Sequence, residues 1–119
     1  WNIEIAFCLL QHTLTKRFKV NHSNGSTLIP FNPDLVAKGS NYFSKLVLAK
    51  FKEGQQDEIE LQFEEPEAIQ CLVNYFMTGF LDINHLNFKA LAYTADVFHL
   101  DEVEAKLKIW LSCFLNLTF

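Results

Sequence analysis

The sequence predicts an α+β fold, in which a small sheet is flanked by a cluster of α-helices. Strand patterns lie in the first half of the chain, whereas the second half shows the three-to-four-residue apolar spacing of amphipathic helices. The chain has 119 residues, of which 50% are hydrophobic and 20% charged. This is the size of one domain and long enough to bury a core without disulfides.

The N-terminal segment is predicted to be a helix that is apolar on several faces. Ile3, Phe7, Leu10 and Leu14, with their apolar neighbours, go most of the way round such a helix instead of forming one stripe. A helix of this kind has to be covered on several sides. It therefore either sits in a groove of its own domain or is covered by a second chain.

A β-hairpin is predicted next, around Asn24-Gly25. This pair is the preferred two-residue hairpin turn, because both central residues need a positive φ. Counting outward from the turn brings apolar residues opposite one another, which supports the assignment. The facing pairs are Val20 with Ile29 and Phe18 with Phe31.

A helix with one buried stripe is predicted to follow Ser40. Continuing it would place Lys50 in the middle of the apolar stripe, so we expect it to end near Leu48 to Lys50. The triplet Phe51-Lys52-Glu53 is then expected to leave the helix as a loop. The stripe consists of Tyr42, Phe43, Leu46 and Val47.

The remaining elements are a half-buried strand and three helices. Residues 58–63 alternate between apolar and polar side chains, as a half-buried strand does. Pro66 suits the first position of a helix that stops at Gly79. A second helix buries Phe88 and its apolar neighbours, and a third begins at Asp101.

Charge and hydropathy exclude two classes of partner. The formal net charge of −4 argues against a protein that binds a phosphate backbone, which would carry a basic stripe. The apolar run from Ile5 to Leu10 is far below the ~20 residues that span a bilayer. We therefore expect contact with neither nucleic acid nor membrane.

The cysteines point to a reducing compartment. Cys8, Cys71 and Cys113 are far apart, have no metal-ligand spacing and are odd in number, so we expect buried small side chains and not disulfides. Three Asn-x-Ser/Thr tripeptides, which begin at Asn21, Asn24 and Asn116, fit the glycosylation pattern. Such tripeptides also occur by chance.

No group of residues has the spacing of a catalytic site, so we expect a protein that is not an enzyme and needs no cofactor or metal. The four histidines lack ligand spacing such as i, i+4 on one helix. Neither a Gly-rich phosphate loop nor a nucleophile elbow is present. His99, between two apolar residues at a predicted helix end, is expected to be packed and hydrogen-bonded.

Several stretches together resemble the BTB/POZ family, from about Phe18 to Phe114. "LIPFNPDLVAKGSNYFSKLVLAKFKE" carries a Ser-x-Tyr-Phe signature, "EIELQFEEPEAIQCLVNYFMTGFLDI" resembles the family's strand and the helix after it, and "LAYTADVFHLDEV" is similar to its next helix pair. Two charged positions that shape a corepressor groove in the transcription-factor branch differ here. Lys16-Arg17 lies near the first and Asn32-Pro33 stands at the second.

The resemblance implies an interaction module that binds a cullin scaffold. In members that recruit a cullin, a hydrophobic residue, any residue and a glutamate follow this helix and contact the cullin. Phe51, Lys52 and Glu53 occupy the matching place. The alternative is that Phe51 folds back under the sheet while Glu53 is solvated.

The resemblance also implies a homodimer. We expect a single BTB/POZ domain over residues 1–119, with an N-terminal dimerisation helix at 1–15 and the BTB core at 16–116. Similar domains place such a helix against the partner in a two-fold dimer. The expected interface residues are Ile3, Phe7, Leu10, Leu14 and Tyr42.

The expected function is the substrate-adaptor part of a cullin-RING ubiquitin ligase, in the cytoplasm, the nucleus or both. Its partners are a second copy, a cullin, and a substrate bound by domains outside this chain. The alternative is a homodimerisation domain of a transcriptional regulator without cullin binding. A channel-type tetramerisation domain and an extracellular glycoprotein module are further alternatives.

Overall fold

The computed structural model describes residues 14–51 and 57–118. Over these residues the chain forms a sheet and five helices, so the predicted α+β class is confirmed. The elements in chain order are β1 (Lys16–His22), β2 (Gly25–Phe31), α1 (Pro33–Ala37), α2 (Asn41–Phe51), β3 (Glu58–Gln62), α3 (Pro66–Thr78), α4 (Phe88–Val97) and α5 (Asp101–Thr118).

The described strands form a sheet with the order β2-β1-β3. β1 pairs antiparallel with β2 and parallel with β3, so residues 32–57, which contain α1 and α2, make the crossover. Residues of opposite charge face each other across the parallel pair. Arg17 lies opposite Glu58 with 2.9 Å between Nε and Oε1, and Lys19 lies opposite Glu60 with 3.9 Å between Nζ and Oε1. These exposed pairs add little stability but favour this register.

The hairpin forms as predicted, but its register differs by two residues. The observed pairs are Phe18 with Ile29 and Val20 with Thr27, so the predicted pairs were wrong. A shift of two keeps every side chain on its predicted face. Phe18 and Phe31 are therefore both buried as diagonal neighbours, and their rings stack with centroids 4.2 Å apart.

The turn explains the shift. Its central residues are Ser23 and Asn24, and Gly25 already belongs to β2 with a φ of +130°. Among the described residues other than glycine, only His99 has a positive φ. Asn24 therefore does not adopt the left-handed conformation that the predicted turn requires, and the glycine takes it alone.

The core lies between the inner face of the sheet and the apolar stripes of the helices. α3 begins at Pro66 and ends at Gly79, as predicted; the glycine has a φ of +81°, and its N–H donates to the Tyr75 carbonyl over 2.7 Å. The buried residues include Phe18, Val20, Ile29 and Phe31 from the hairpin, Phe43 and Val47 from α2, Ile69, Leu72 and Val73 from α3, Leu91 and Ala95 from α4, and Val103 and Leu107 from α5.

α2 extends slightly further than predicted. Ser40 Oγ accepts a hydrogen bond from the Phe43 N–H over 3.1 Å at its first turn, and the helix runs to Phe51. Phe51 is thus the last helical residue and not the first loop residue. The prediction rested on one lysine in the stripe, and a pattern defines a helix end less sharply than the helix itself.

The predicted N-terminal helix falls mostly outside the described residues. Ile3, Phe7 and Leu10 are among the residues that the structure does not describe, so their dimer contacts stay a prediction. Leu14 is half-buried, and with Thr15 it leads into β1 without helical structure.

The cysteines are less buried than predicted. Cys71 on α3 is half-buried, its Sγ lies 3.4 Å from the Asp82 carbonyl oxygen, and burial raises the pKa of its thiol. Cys113 on α5 is exposed, because helical spacing from Val103 and Leu107 places position 113 off the buried stripe. Cys8 lies outside the described residues.

No helix in the described part of the chain has both the length and the apolar character needed to cross a bilayer.

The first turn of α5 carries Asp101, Glu102 and Glu104. These carboxylates complement the positive end of the helix dipole.

His99 lies two residues after the end of α4 and is exposed, contrary to the prediction of a packed histidine. Its φ of +56° places it in the left-handed region. The His99 N–H donates to the Asp96 carbonyl over 3.3 Å, and the Leu100 N–H donates to the Ala95 carbonyl over 2.8 Å. This is the Schellman hydrogen-bond pattern, whose left-handed position is usually glycine. Backbone hydrogen bonds, and not packing of the imidazole, therefore hold His99 in this conformation.

His99→Gly is therefore expected to stabilise the domain. The left-handed conformation costs a residue with a Cβ roughly 1–2 kcal/mol, and the extra freedom of glycine in the unfolded chain offsets part of that. We expect the midpoint of urea unfolding to rise with an unchanged slope. His99→Ala, which keeps the Cβ, is the control and is not expected to raise it; a gain of the same size in both would contradict this explanation.

Candidate partner-binding surface

The predicted contact triplet begins at the C-terminal end of α2. Phe51 is the last residue of that helix, whereas Lys52 and Glu53 lie outside the described residues. The chain is described again from Asp57, one residue before β3. The triplet therefore begins in α2 and continues into the stretch of sequence between α2 and β3.

Phe43 fixes α2 in the core. Its buried ring lies 5.9 Å from that of Phe18 on β1, 5.4 Å from that of Phe76 on α3 and 5.5 Å from that of Phe98 after α4, centroid to centroid. These three contacts hold the helix against the sheet and against two other helices. The first turn of α2 consequently has a defined position relative to the end of α4.

Four aromatic residues form a continuous row, which we call the aromatic ridge. Tyr42 lies 4.9 Å from Phe98, Phe98 lies 5.3 Å from Phe63, and Phe63 stacks on Tyr93 at 5.7 Å with an interplanar angle of 13°. The two phenylalanines are buried, whereas Tyr42 is 39% and Tyr93 56% exposed. Buried rings thus support two tyrosines at the surface.

The ridge is assembled from distant parts of the chain. Tyr42 comes from the first turn of α2, Phe63 directly follows β3, Tyr93 lies on α4, and Phe98 follows α4. Val97, four residues after Tyr93, lies on the same side of α4 and is exposed. The ridge therefore joins the start of α2, the end of β3 and the C-terminal half of α4.

Sequence reasoning identified Tyr42 but missed Tyr93. The predicted stripe of α4 runs through Phe88, Leu91 and Ala95, and Tyr93 lies off that stripe. A large aromatic residue on the solvent side of an amphipathic helix was the available signal, because most such positions are polar. Phe98 and Phe63 could be recognised as core residues, but not as the buried rings that contact Tyr42 and Tyr93.

The ridge has the chemistry of a binding surface. A tyrosine offers a rigid apolar body with one hydroxyl, and such residues are enriched at protein interfaces. A partner that covers both rings gains apolar burial at a low cost in side-chain entropy.

A polar cluster of Tyr75, Glu102 and Lys106 links α3 to α5. The buried Tyr75 donates its hydroxyl hydrogen bond to the Glu102 carboxylate, and burial together with this hydrogen bond raises the pKa of Tyr75 to about 12. Lys106 Nζ lies 5.7 Å from the centroid of the Tyr75 ring. The phenol stays protonated at neutral pH and donates to Glu102, so this hydrogen bond links α3 to the first turn of α5.

A cavity of about 270 Å³ lies beside this cluster, between the start of α2 and the start of α5. Gly39 forms part of its wall, and a Cβ added there would lie 2.3 Å from Cδ1 of Phe76. A side chain at position 39 would displace the Phe76 ring, which packs against Phe43. The glycine thus permits the close approach of the α1–α2 connection to α3.

Comparison with known proteins identifies the family to which this architecture corresponds. Residues 29–112 match the family model described as the BTB/POZ domain. Human Kelch-like protein 5 is 29% identical over 79 residues, and human Kelch-like protein 30 is 32% identical over 80 residues. Those alignments cover 66% and 67% of this chain but only 10% and 14% of the relatives.

A solved structure supports the same fold. The BTB (Tramtrack and Bric a brac) domain of human gigaxonin superposes with a TM-score of 0.67, covering 89% of this chain and 84% of the gigaxonin chain. The sequence identity is 13%, so this likeness concerns the fold alone.

Proposed function

The chain belongs to the BTB/POZ domain family of protein–protein interaction modules, and from that premise we propose that it homodimerises and acts as the substrate-adaptor part of a cullin-RING ubiquitin ligase. The cullin would bind at Phe51, Lys52 and Glu53. The substrate would be bound by domains outside this chain, in the cytoplasm, the nucleus or both.

One observation carries the cullin proposal: Phe51 is the last residue of α2, a helix that Phe43 anchors in the core. Phenylalanine is among the aromatic residues enriched at interfaces, where a few residues supply most of the binding energy. Tyr93 and Val97 on α4 offer a separate exposed apolar surface, at the opposite end of α2 from Phe51.

The charge of Glu53 is expected to orient the cullin more than to raise the affinity for it. Glu53 follows Phe51 after one residue in the sequence, so the proposed contact includes a carboxylate. Charged groups at the rim of an interface mainly determine partner choice and association rate. A basic partner surface is therefore expected opposite Glu53.

Two features of the relatives support a substrate-binding role for other domains. The chain spans 10% and 14% of the length of the Kelch-like proteins it matches, and 14% of human Kelch repeat and BTB domain-containing protein 6. That last name pairs a BTB domain with Kelch repeats in one protein. This pairing supports the proposal that domains other than this one bind the substrate.

The dimer proposal rests on the apolar N-terminal segment. Ile3, Phe7, Leu10 and Leu14 would contact the partner subunit around a two-fold axis. Tyr42 is proposed to take part in the same interface. Because Tyr42 is also on the aromatic ridge, its replacement should be tested for dimerisation and cullin binding separately.

Calorimetric titration of the domain with a cullin N-terminal region tests the proposed function. We expect submicromolar binding, with light scattering showing two copies of this chain before titration. A folded dimer that releases no heat would favour the dimerisation domain of a transcriptional regulator. Four copies would favour a channel-type tetramerisation domain.

A further inference from the structure

The turn between β1 and β2 contains a chemically labile pair that the proposed function does not use. Asn24 is followed by Gly25, and no other asparagine in the chain is followed by glycine. Both residues are exposed, and no atom lies within 4 Å of the place where a Cβ on Gly25 would stand. The absent side chain and the open space on this side of Gly25 leave room for the Asn24 side chain to approach its backbone.

We propose that Asn24 is a site of spontaneous deamidation. The backbone nitrogen of Gly25 loses its proton and attacks Cγ of Asn24, and the side-chain amide nitrogen leaves as ammonia. The product is a cyclic succinimide. Water then opens the ring: addition at the side-chain carbonyl gives aspartate, and addition at the backbone carbonyl gives isoaspartate. One ammonia is released and one water consumed, without a change of oxidation state.

The position of the pair in the sheet makes the reacting conformation accessible. Gly25 pairs with His22, and this is the last pair of the β1–β2 ladder. The end pair can open while every other pair stays formed, and such local opening costs far less than global unfolding. Asn24 can then rotate until its Cγ faces the Gly25 nitrogen.

The product changes a turn that is held by a carboxylate. Glu64, directly after Phe63, accepts hydrogen bonds from the Ser23 backbone N–H over 3.1 Å and from the Ser23 hydroxyl. These hydrogen bonds hold the pKa of Glu64 below its usual value, so this carboxylate is ionised at and above neutral pH. They connect the turn to the chain segment between β3 and α3.

Deamidation disturbs this connection in two ways. It adds one negative charge, on a chain of formal charge −4, at the residue next to Ser23, so the new carboxylate repels that of Glu64. Isoaspartate also lengthens the backbone by one methylene inside a two-residue turn, where loop length determines the register. The aged protein is therefore expected to unfold at a lower temperature.

Incubating the whole domain near physiological temperature, followed by peptide mapping, tests the proposal. We expect the peptide with Asn24 to gain the mass that separates a hydroxyl from an amino group and to split into aspartate and isoaspartate forms. The rate should rise with pH, because the attacking nitrogen must lose its proton. In heavy-oxygen water, one heavy oxygen should enter each product.

Matched variants make the result decisive. In Asn24→Gln the longer side chain would have to form a larger ring, so conversion should slow by about an order of magnitude or more while the turn stays exposed. The chain unfolded in urea gives the rate without the hairpin. If the folded domain keeps Asn24 intact over a time in which the unfolded chain converts, the proposal is wrong.

Discussion

Phe43→Ala is expected to lower the free energy of unfolding by about 3–5 kcal/mol, the usual cost of truncating a buried phenylalanine. Phe43 is fully buried, and its ring meets Phe18, Phe76 and Phe98. Its removal leaves a cavity where the sheet, α2, α3 and the end of α4 meet. Small domains are stable by about 5–15 kcal/mol, so the variant should be near the limit of folding.

Urea unfolding followed by circular dichroism measures this loss, with Leu48→Ala as the matched control. Leu48 lies on the same helix but is 63% exposed, so its truncation is expected to change the free energy by no more than about 0.5 kcal/mol. Comparable losses in the two variants would show that the helix is not anchored through Phe43. An unfolded Phe43→Ala protein beside a native Leu48→Ala protein would agree with the expectation.

The double variant Phe51→Asp, Glu53→Lys is expected to abolish cullin binding. Loss of a central anchor costs about 2 kcal/mol or more, which is roughly 30-fold in affinity. The aspartate also replaces the apolar anchor by a charge, and the lysine opposes the basic surface expected near Glu53. The affinity should therefore fall by more than the loss of the anchor alone.

Calorimetric titration of this variant is interpreted against two controls. Lys52→Ala changes the middle residue, to which no contact is assigned, and should bind like the unmodified domain. Tyr93→Ala removes an exposed ring of the aromatic ridge and should weaken binding if the cullin also covers α4. All variants should give the circular dichroism spectrum of the folded domain. Unchanged affinity in the double variant would remove Phe51 from the proposed contact site.

The sequence by itself determined most of the local structure. Pro66 and Gly79 bound α3 because a proline suits the first turn and a glycine accepts the left-handed position after the last. The strand alternation around Ile59 and the apolar stripe of α4 likewise required only the periodicity of each element. Fold class and family membership followed from the order of these elements together with the recognised stretches.

The details that failed depend on residues far apart in the chain. Two hairpin registers that differ by two residues bury the same side chains, so the pattern could not separate them. In the structure, Glu64 holds the Ser23 N–H across 41 residues of sequence, and His22 Nε2 lies 2.9 Å from Thr27 Oγ1. The observed register places Ser23 in the turn, where this hydrogen bond forms.

The candidate surface could likewise be predicted only in part from the sequence. The sequence alone predicted the contact triplet at the end of α2 and placed Tyr42 in the apolar stripe and in the dimer interface, because each belongs to one short stretch; the structure shows that Tyr42 is 39% exposed. Only the tertiary structure decided that Phe98 and Phe63 bring Tyr42 and Tyr93 into one row. Local sequence fixes which face a residue takes on its own helix or strand, whereas contacts between elements depend on how their buried faces pack together.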